Sequence, residues 1–333
     1  MSRRLIFDLF GIILSLITVA LIVEAFVRVF ADDGMQFDLE MWKYARDVKQ
    51  LSADPLIAHE HAPNRDAVLM GVDFQTNSKG LRDREFAYDR KPGTLRVLML
   101  GDSLTVGWGV PVEQTFSKRI ETLFAADGVD AEVINTGVGN YNTVQEVEYF
   151  LTKGFKYHPD IVVLNFFVND AEPIFEHKPP SILTRECYAC VFIFGRVDTL
   201  ARKFLSKSDW ADYYLSLYDG GKSKSWLNAK NSIQKLATYC RSNGIALVVA
   251  NLPELHDVQH YQFEQISNLV RDAAIEYGAH YVDLLPYLQN EESATLWVSP
   301  GDQHPNGHAN DLIAHGLYST LGSLASANST HER

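Results

Sequence analysis

Ser103 stands at the end of the run Val97-Leu98-Met99-Leu100-Gly101-Asp102, and far downstream the chain offers Asp302-Gln303-His304-Pro305-Asn306. A serine at the exit of a buried strand, with a histidine late in the chain, has the parts for nucleophilic ester chemistry. A free hydroxyl is too weak an acid to attack a carbonyl unless a base takes its proton. These residues point to a serine hydrolase or an acyltransferase.

The elements that must position them are legible in the pattern of apolar runs. With 333 residues and 46% hydrophobic content the chain can bury a full core, which excludes a disordered protein. Runs rich in Val, Ile and Leu at Arg96 to Leu100, Ala131 to Ile134, Asp160 to Phe167, Ile245 to Asn251 and His280 to Leu284 predict strands buried on both faces. Between them, helical periodicity appears at Phe116, Ile120, Leu123 and Phe124, at Val144, Val147 and Leu151, and at Ile233, Leu236, Ala237 and Cys240. It returns at Phe263, Ile266, Val270 and Ala273 and at Ala309, Leu312, Ile313, Gly316 and Leu317. The alternation predicts an α/β fold, a doubly wound five-stranded parallel sheet with helices on both faces, whose ligands gather at the carboxyl ends of the strands. Ser103 and Asn169 fall at such ends.

Residues 1–31 predict a membrane anchor or a signal peptide. Arg3-Arg4 precede an apolar stretch from Leu5 to Phe30 interrupted by Asp8, Glu24 and Arg28. Its uncharged centre, Leu9 to Val23, is shorter than the roughly 20 residues of an ideal span, and snorkelling of the flanking charges extends it. One transmembrane helix fits best; Val29-Phe30-Ala31 before Asp32-Asp33 is the alternative cleavage site. Arg3 and Arg4 favour an inside N-terminus, a bias that Lys43, Arg46 and Lys49 weaken. Residues 32–92 read as a stalk and entry segment, and 93–333 as the catalytic domain with a lid-like insertion at about 171–225. Three cysteines are too few for a disulfide scaffold or a zinc site. Outside the cytoplasm Cys187 and Cys190 could pair locally, the alternative being two packed thiols, and Cys240 falls on a core-facing helix. The net charge of −12 disfavours nucleic acid as a partner.

Four blocks in order, Gly101-Asp102-Ser103-Leu104, Asn135 to Thr143, Val168-Asn169-Asp170 and Asp302 to His304, make the chain resemble the SGNH (GDSL-type) hydrolase superfamily on a flavodoxin-like sheet. The resemblance runs from about Asn77 to Leu321 and takes in Asn77-Ser78-Lys79-Gly80-Leu81-Arg82-Asp83, a segment similar to one preceding the domain in membrane-anchored bacterial members. It implies Ser103 as nucleophile and His304 as general base, with an oxyanion hole formed by the N–H of Ser103, the N–H of Gly139 or Asn140, and the Asn169 side chain. The chain departs from the family at two places. Asn140 stands where a glycine donor is usual, with Gly139 one place earlier. The usual Asp-x-x-His would put the acid at Gly301, whereas Asp302 is two before His304. Asp302 is the expected third member of a triad; a Ser–His dyad is the alternative. Asp170 reads as structural, and Trp108, Tyr141 and the segment after Asp170 as pocket walls.

The resemblance implies an esterase acting through an acyl-serine intermediate with no metal or organic cofactor. Hydrolysis and acyl transfer share this chemistry, so an O-acyltransferase is the first alternative and an inactive binding module the second. The anchor makes a cell-envelope substrate the expectation, an O-acylated glycan, a lipid or a small ester. It also makes the protein a single-pass membrane protein with its domain in the periplasm or at the cell surface.

Overall fold

The computed structural model describes residues 3–174, 185–205 and 210–331, so part of the insertion expected at 171–225 lies outside the described residues. Helix α1 (Arg3–Phe26) buries none of its side chains and, with the wide turn Val27–Ala31 that continues it, is long and apolar enough to cross a membrane. Helix α2 (Phe37–Asp47) follows, then two small antiparallel pairs, β1 (Lys49–Leu51) with β2 (His59–His61) and β3 (Asp66–Leu69) with β4 (Val72–Gln75).

The stretch expected to be a stalk is packed against the catalytic domain. Tyr44 and Val48, four apart and so on one helical face, join Leu69, Met70 and Phe74 in a buried cluster with Val106 and Trp108, just beyond the candidate nucleophile. Arg82 completes the attachment. Its buried guanidinium donates to the carbonyls of Val106, Gly107 and Val110 in the turn after Ser103 and to that of Asp73, tying β4 to the turn.

The central sheet is all parallel and built from β5 (Leu95–Leu100), β6 (Ala131–Asn135), β7 (Ile161–Phe166), β8 (Ala246–Asn251) and β9 (His280–Asp283) in the order β6-β5-β7-β8-β9. The strand positions match the five apolar runs, and the order is the flavodoxin-like one. Alternate residues serve opposite faces. Leu98, Leu100, Ile134, Val162 and Leu164 enter one core, and Val97, Met99, Val133, Ile161 and Val163 the other.

The chain supplies helices α3 (Ser103–Val106), α4 (Phe116–Ala126), α5 (Thr143–Thr152), α6 (Tyr188–Leu205), α7 (Trp210–Tyr218), α8 (Lys224–Ser242), α9 (Glu264–Glu276) and α10 (Leu285–Leu288). A hairpin, β10 (Trp297–Ser299) with β11 (Asp302–Pro305), then leads into α11 (Gly307–His331). Helices α5, α8 and α9 cover the first core, and α4 and α11 the second. Cys187 and Cys190 form a disulfide at the start of α6, and Cys240 is a free, buried residue of α8.

Candidate active site

The switch point of the sheet lies between β5 and β7, because β6 sits on one side of the first core strand and β7 on the other. The candidate site occupies the carboxyl ends of those strands. Ser103 opens α3 directly after β5. Asp102 caps that helix, its side chain accepting the Leu104 N–H at 2.9 Å, so the cap leaves the Ser103 hydroxyl uncommitted. His304 Nε2 lies 2.9 Å from Ser103 Oγ.

Asp302 Oδ1 sits 2.5 Å from His304 Nδ1. The two-residue spacing works because both residues belong to β11, where positions two apart point to the same side. A loop bearing Asp-x-x-His is one way to bring an acid to Nδ1; an extended strand bearing Asp-x-His is another. The second carboxylate oxygen accepts the Trp108 indole N–H at 2.8 Å, and the His304 backbone N–H donates to Oδ1 at 3.1 Å. Burial alone would raise the Asp302 carboxyl. The hydrogen bonds and electrostatic attraction of the His304 ring, with the Trp108 indole, outweigh it and hold the group below the usual carboxylate range. Trp108, expected as a pocket wall, is instead a buried support for the acid, and Tyr141 is likewise buried, donating to the His59 carbonyl.

The backbone donors of the expected oxyanion hole divide. The Gly139 N–H is directed away from the serine, to the Tyr44 hydroxyl at 2.8 Å. Asn140 adopts φ 67°, a left-handed conformation that Asn tolerates better than most residues, and among the described residues its N–H has no acceptor. The glycine is needed one place earlier because Tyr44 presses on it: a Cβ at Gly139 would meet the Tyr44 ring at 2.7 Å. Of the two residues expected as alternatives, Asn140 is the one with a free N–H. Asn169 follows β7 and donates from Nδ2 to Asp102 at 3.3 Å, which leaves the second N–H of that amide for another acceptor.

Behind these donors lie Glu146 and Asp170. Burial, then the charge of neighbouring acids, pushes both carboxyls well above their ordinary values. The shift favours the neutral form of each, which lessens the negative charge set against a developing oxyanion. Asp170 accepts from the Thr143 hydroxyl at 2.9 Å.

Tyr44 is the element that sequence reasoning missed. His61 Nδ1 lies 3.1 Å from the Gly80 carbonyl, which can only accept, so Nδ1 carries the proton and Nε2 accepts from Tyr44 at 2.5 Å. The Tyr44 oxygen in turn accepts from Gly139. Lys49 fixes the other side of this loop, donating to the Gly139 carbonyl at 2.5 Å and to Asn140 Oδ1 at 2.9 Å. Phe37 stacks on His304 with ring centroids 6.1 Å apart. A tyrosine four residues before a buried valine carried the only sequence signal, and it marks a packed helix face rather than a site.

A doubly wound parallel sheet with a serine and a histidine side by side on its carboxyl edge fits one class: α/β enzymes that hydrolyse esters. The chain belongs to the GDSL-like lipase/acylhydrolase family, whose model matches residues 99–312, and it is an ester-hydrolysing enzyme. Solved structures of similar fold include TesA, at 13% identity over 69% of this chain and 99% of that one with a TM-score of 0.46. A catalytic variant of Axe2, an acetylxylan esterase from Geobacillus stearothermophilus, is 13% identical over 68% of this chain and 94% of that one, with a TM-score of 0.45. The psychrotrophic esterase EstA from Pseudoalteromonas sp. is 13% identical over 68% and 97%, with a TM-score of 0.43. No curated protein matches the chain in sequence.

Proposed function

We propose that the chain is a serine esterase that cleaves O-acyl esters of a cell-envelope glycan or lipid through an acyl-serine intermediate. The carrying observation is the continuous line from Asp302 through His304 to Ser103, at 2.5 and 2.9 Å. His304 Nε2 takes the serine proton as Oγ attacks the ester carbonyl. Asp302 holds the tautomer that leaves Nε2 unprotonated and steadies the imidazolium that forms. The oxyanion accepts from the N–H groups of Ser103 and Asn140 and from the Asn169 amide. His304 then protonates the departing alkoxide, and a water activated by the same base releases the acyl group.

The same reading keeps α1 as an anchor rather than a cleaved leader. The Glu24 carboxylate accepts the backbone N–H groups of Tyr188 and Ala189 at 3.1 and 2.8 Å, and Arg28 donates to the Glu186 carbonyl at 2.7 Å. Cleavage after Ala31 would strip these partners from α6. The disulfide Cys187–Cys190 supports an extracytoplasmic domain, since such bonds persist in oxidising compartments.

The test is turnover of p-nitrophenyl esters together with fluorophosphonate labelling by the full chain and by Ser103→Ala and His304→Ala. The expected result is labelling and hydrolysis in the parent and neither in the variants. A parent that neither labels nor turns over would refute the reading. Labelling with discharge only to added sugar hydroxyls would move it to acyl transfer.

A further inference from the structure

Helix α6 uses one face and leaves another bare. Ala189, Val191 and Phe192 pack with Val27, Leu39 and Val23 in a small apolar cluster at the foot of α1. On the other side Ile193, Phe194 and Val197 are 48%, 71% and 55% exposed. Three large apolar side chains within five residues forgo the gain of burial when left in water.

The position of α6 along α1 says what covers them. Its start is fastened to Glu24, the first charged residue after the uncharged run Leu9 to Val23. If that run fills the hydrocarbon, Glu24 lies at headgroup depth, and the first turn of α6 lies there with it. The same level carries Phe26, Val29 and Phe30, all exposed, and an aromatic group of the kind that favours membrane interfaces: Trp42 edge-on to Tyr188, with the Arg28 guanidinium 4.1 Å above the Tyr188 ring. Helix α6 packs on both α1 and the turn that follows it, so its bare face continues the apolar surface of the anchor.

We propose that α6 lies in the interfacial layer of the bilayer, with Ile193, Phe194 and Val197 turned to the acyl-chain boundary. The inference rests on α1 being a retained anchor. Its consequence for the enzyme is positional. Phe37 at the start of α2 stacks on His304, while its neighbour Asp38 lies against Gly195 of α6. One helix separates the triad from the lipid, which holds the serine within reach of esters carried at the bilayer surface.

The experiment uses the full chain in phosphatidylcholine–phosphatidylglycerol vesicles, with an NBD fluorophore on Phe194→Cys, on Leu14→Cys as the anchor reference and on Ile275→Cys as the aqueous reference. The native cysteines are disulfide-bonded or buried, so the introduced thiol is the reactive one. The expected result is blue-shifted emission at 194 and quenching by nitroxide-labelled lipids several-fold above that at 275. Quenching at 14 with water-like behaviour at 194 would overturn the proposal and leave the anchor standing. No quenching at 14 would overturn the anchor, and this proposal with it. A blue shift at 194 without lipid quenching would place protein over the face and also overturn it.

Discussion

Asp302→Asn keeps one oxygen opposite His304 and adds an NH2, and the buried surroundings decide which of them faces the imidazole. With the amide oxygen toward His304, Nδ1–H and the His304 backbone N–H are both satisfied, and the NH2 faces the Trp108 indole N–H, two donors in opposition. With the amide reversed, the indole is satisfied and the NH2 donates to Nδ1. The proton then sits on Nε2, which can no longer accept from Ser103. The bond lost on reversal is the longer one, at 3.1 Å, and the bond kept is the indole bond at 2.8 Å, so the inactive orientation is favoured. The wrong tautomer costs about 10⁴ in kcat in well-studied triads, and a loss of that order is expected here. Trp108→Phe removes the opposing donor. An unsatisfied buried donor costs about 1–3 kcal/mol, so the second substitution should swing the amide back and restore about tenfold of the lost rate. The double variant should therefore be faster than Asp302→Asn alone, while Trp108→Phe by itself is slower than the parent. Steady-state kcat/KM on p-nitrophenyl acetate across the four proteins measures this, with thermal midpoints recorded because Trp108 is buried. A double variant slower than Asp302→Asn by the factor that Trp108→Phe costs alone would refute the reasoning.

Two further outcomes are expected. Asn169→Ala should lower kcat by about 10²–10³ with little change in KM, the usual consequence of losing one oxyanion donor; a loss under about fivefold would remove Asn169 from that role. Burial, with the positive charges of Lys49 and Arg82, pushes His61 down to about 3 from an ordinary 6.5. The unfolded chain therefore binds a proton there between those values and the folded protein does not. The His61 contribution to stability is complete above about pH 6.5 and declines as pH falls toward 3, at up to about 1.4 kcal/mol per unit. His61→Gln, which can still accept from Tyr44 and donate to Gly80, should flatten that decline in urea unfolding followed against pH. Equal slopes for the two proteins would contradict it.

Much of the molecule was readable from residue types alone. Five strands show as Val-, Ile- and Leu-rich runs because a parallel sheet is buried on both faces, and Ser103 and Asn169 stand out because polar residues at the ends of such runs need a reason, while His304 stands out as the base that such a serine requires. What escaped depends on contacts between distant segments. The acid at Asp302 looked displaced by one residue, because spacing is read against a loop while the chain forms a strand. Trp108 looked like a wall because an indole is mostly apolar surface, and its single N–H shows its use only when Asp302 arrives from the far end of the chain. The displaced Gly139 makes sense only once Tyr44 is seen against it, and a tyrosine on an amphipathic helix signals packing, with nothing in the local pattern to mark its hydroxyl.

The Tyr44–His61–Gly80 relay also changes what counts as the smallest working piece of this enzyme. The family match covers 99–312, and a fragment trimmed to that boundary would carry the serine, the histidine, the aspartate and both amide-bearing asparagines. It would lack the hydroxyl that receives Gly139 and the guanidinium that ties down Val106 and Gly107, and the face of Trp108 that packs with Tyr44 and Phe74 would lose its cover. Motif content and functional integrity therefore have different borders in this protein, and a library screen or a grafted domain drawn along the first would select inert, adhesive material.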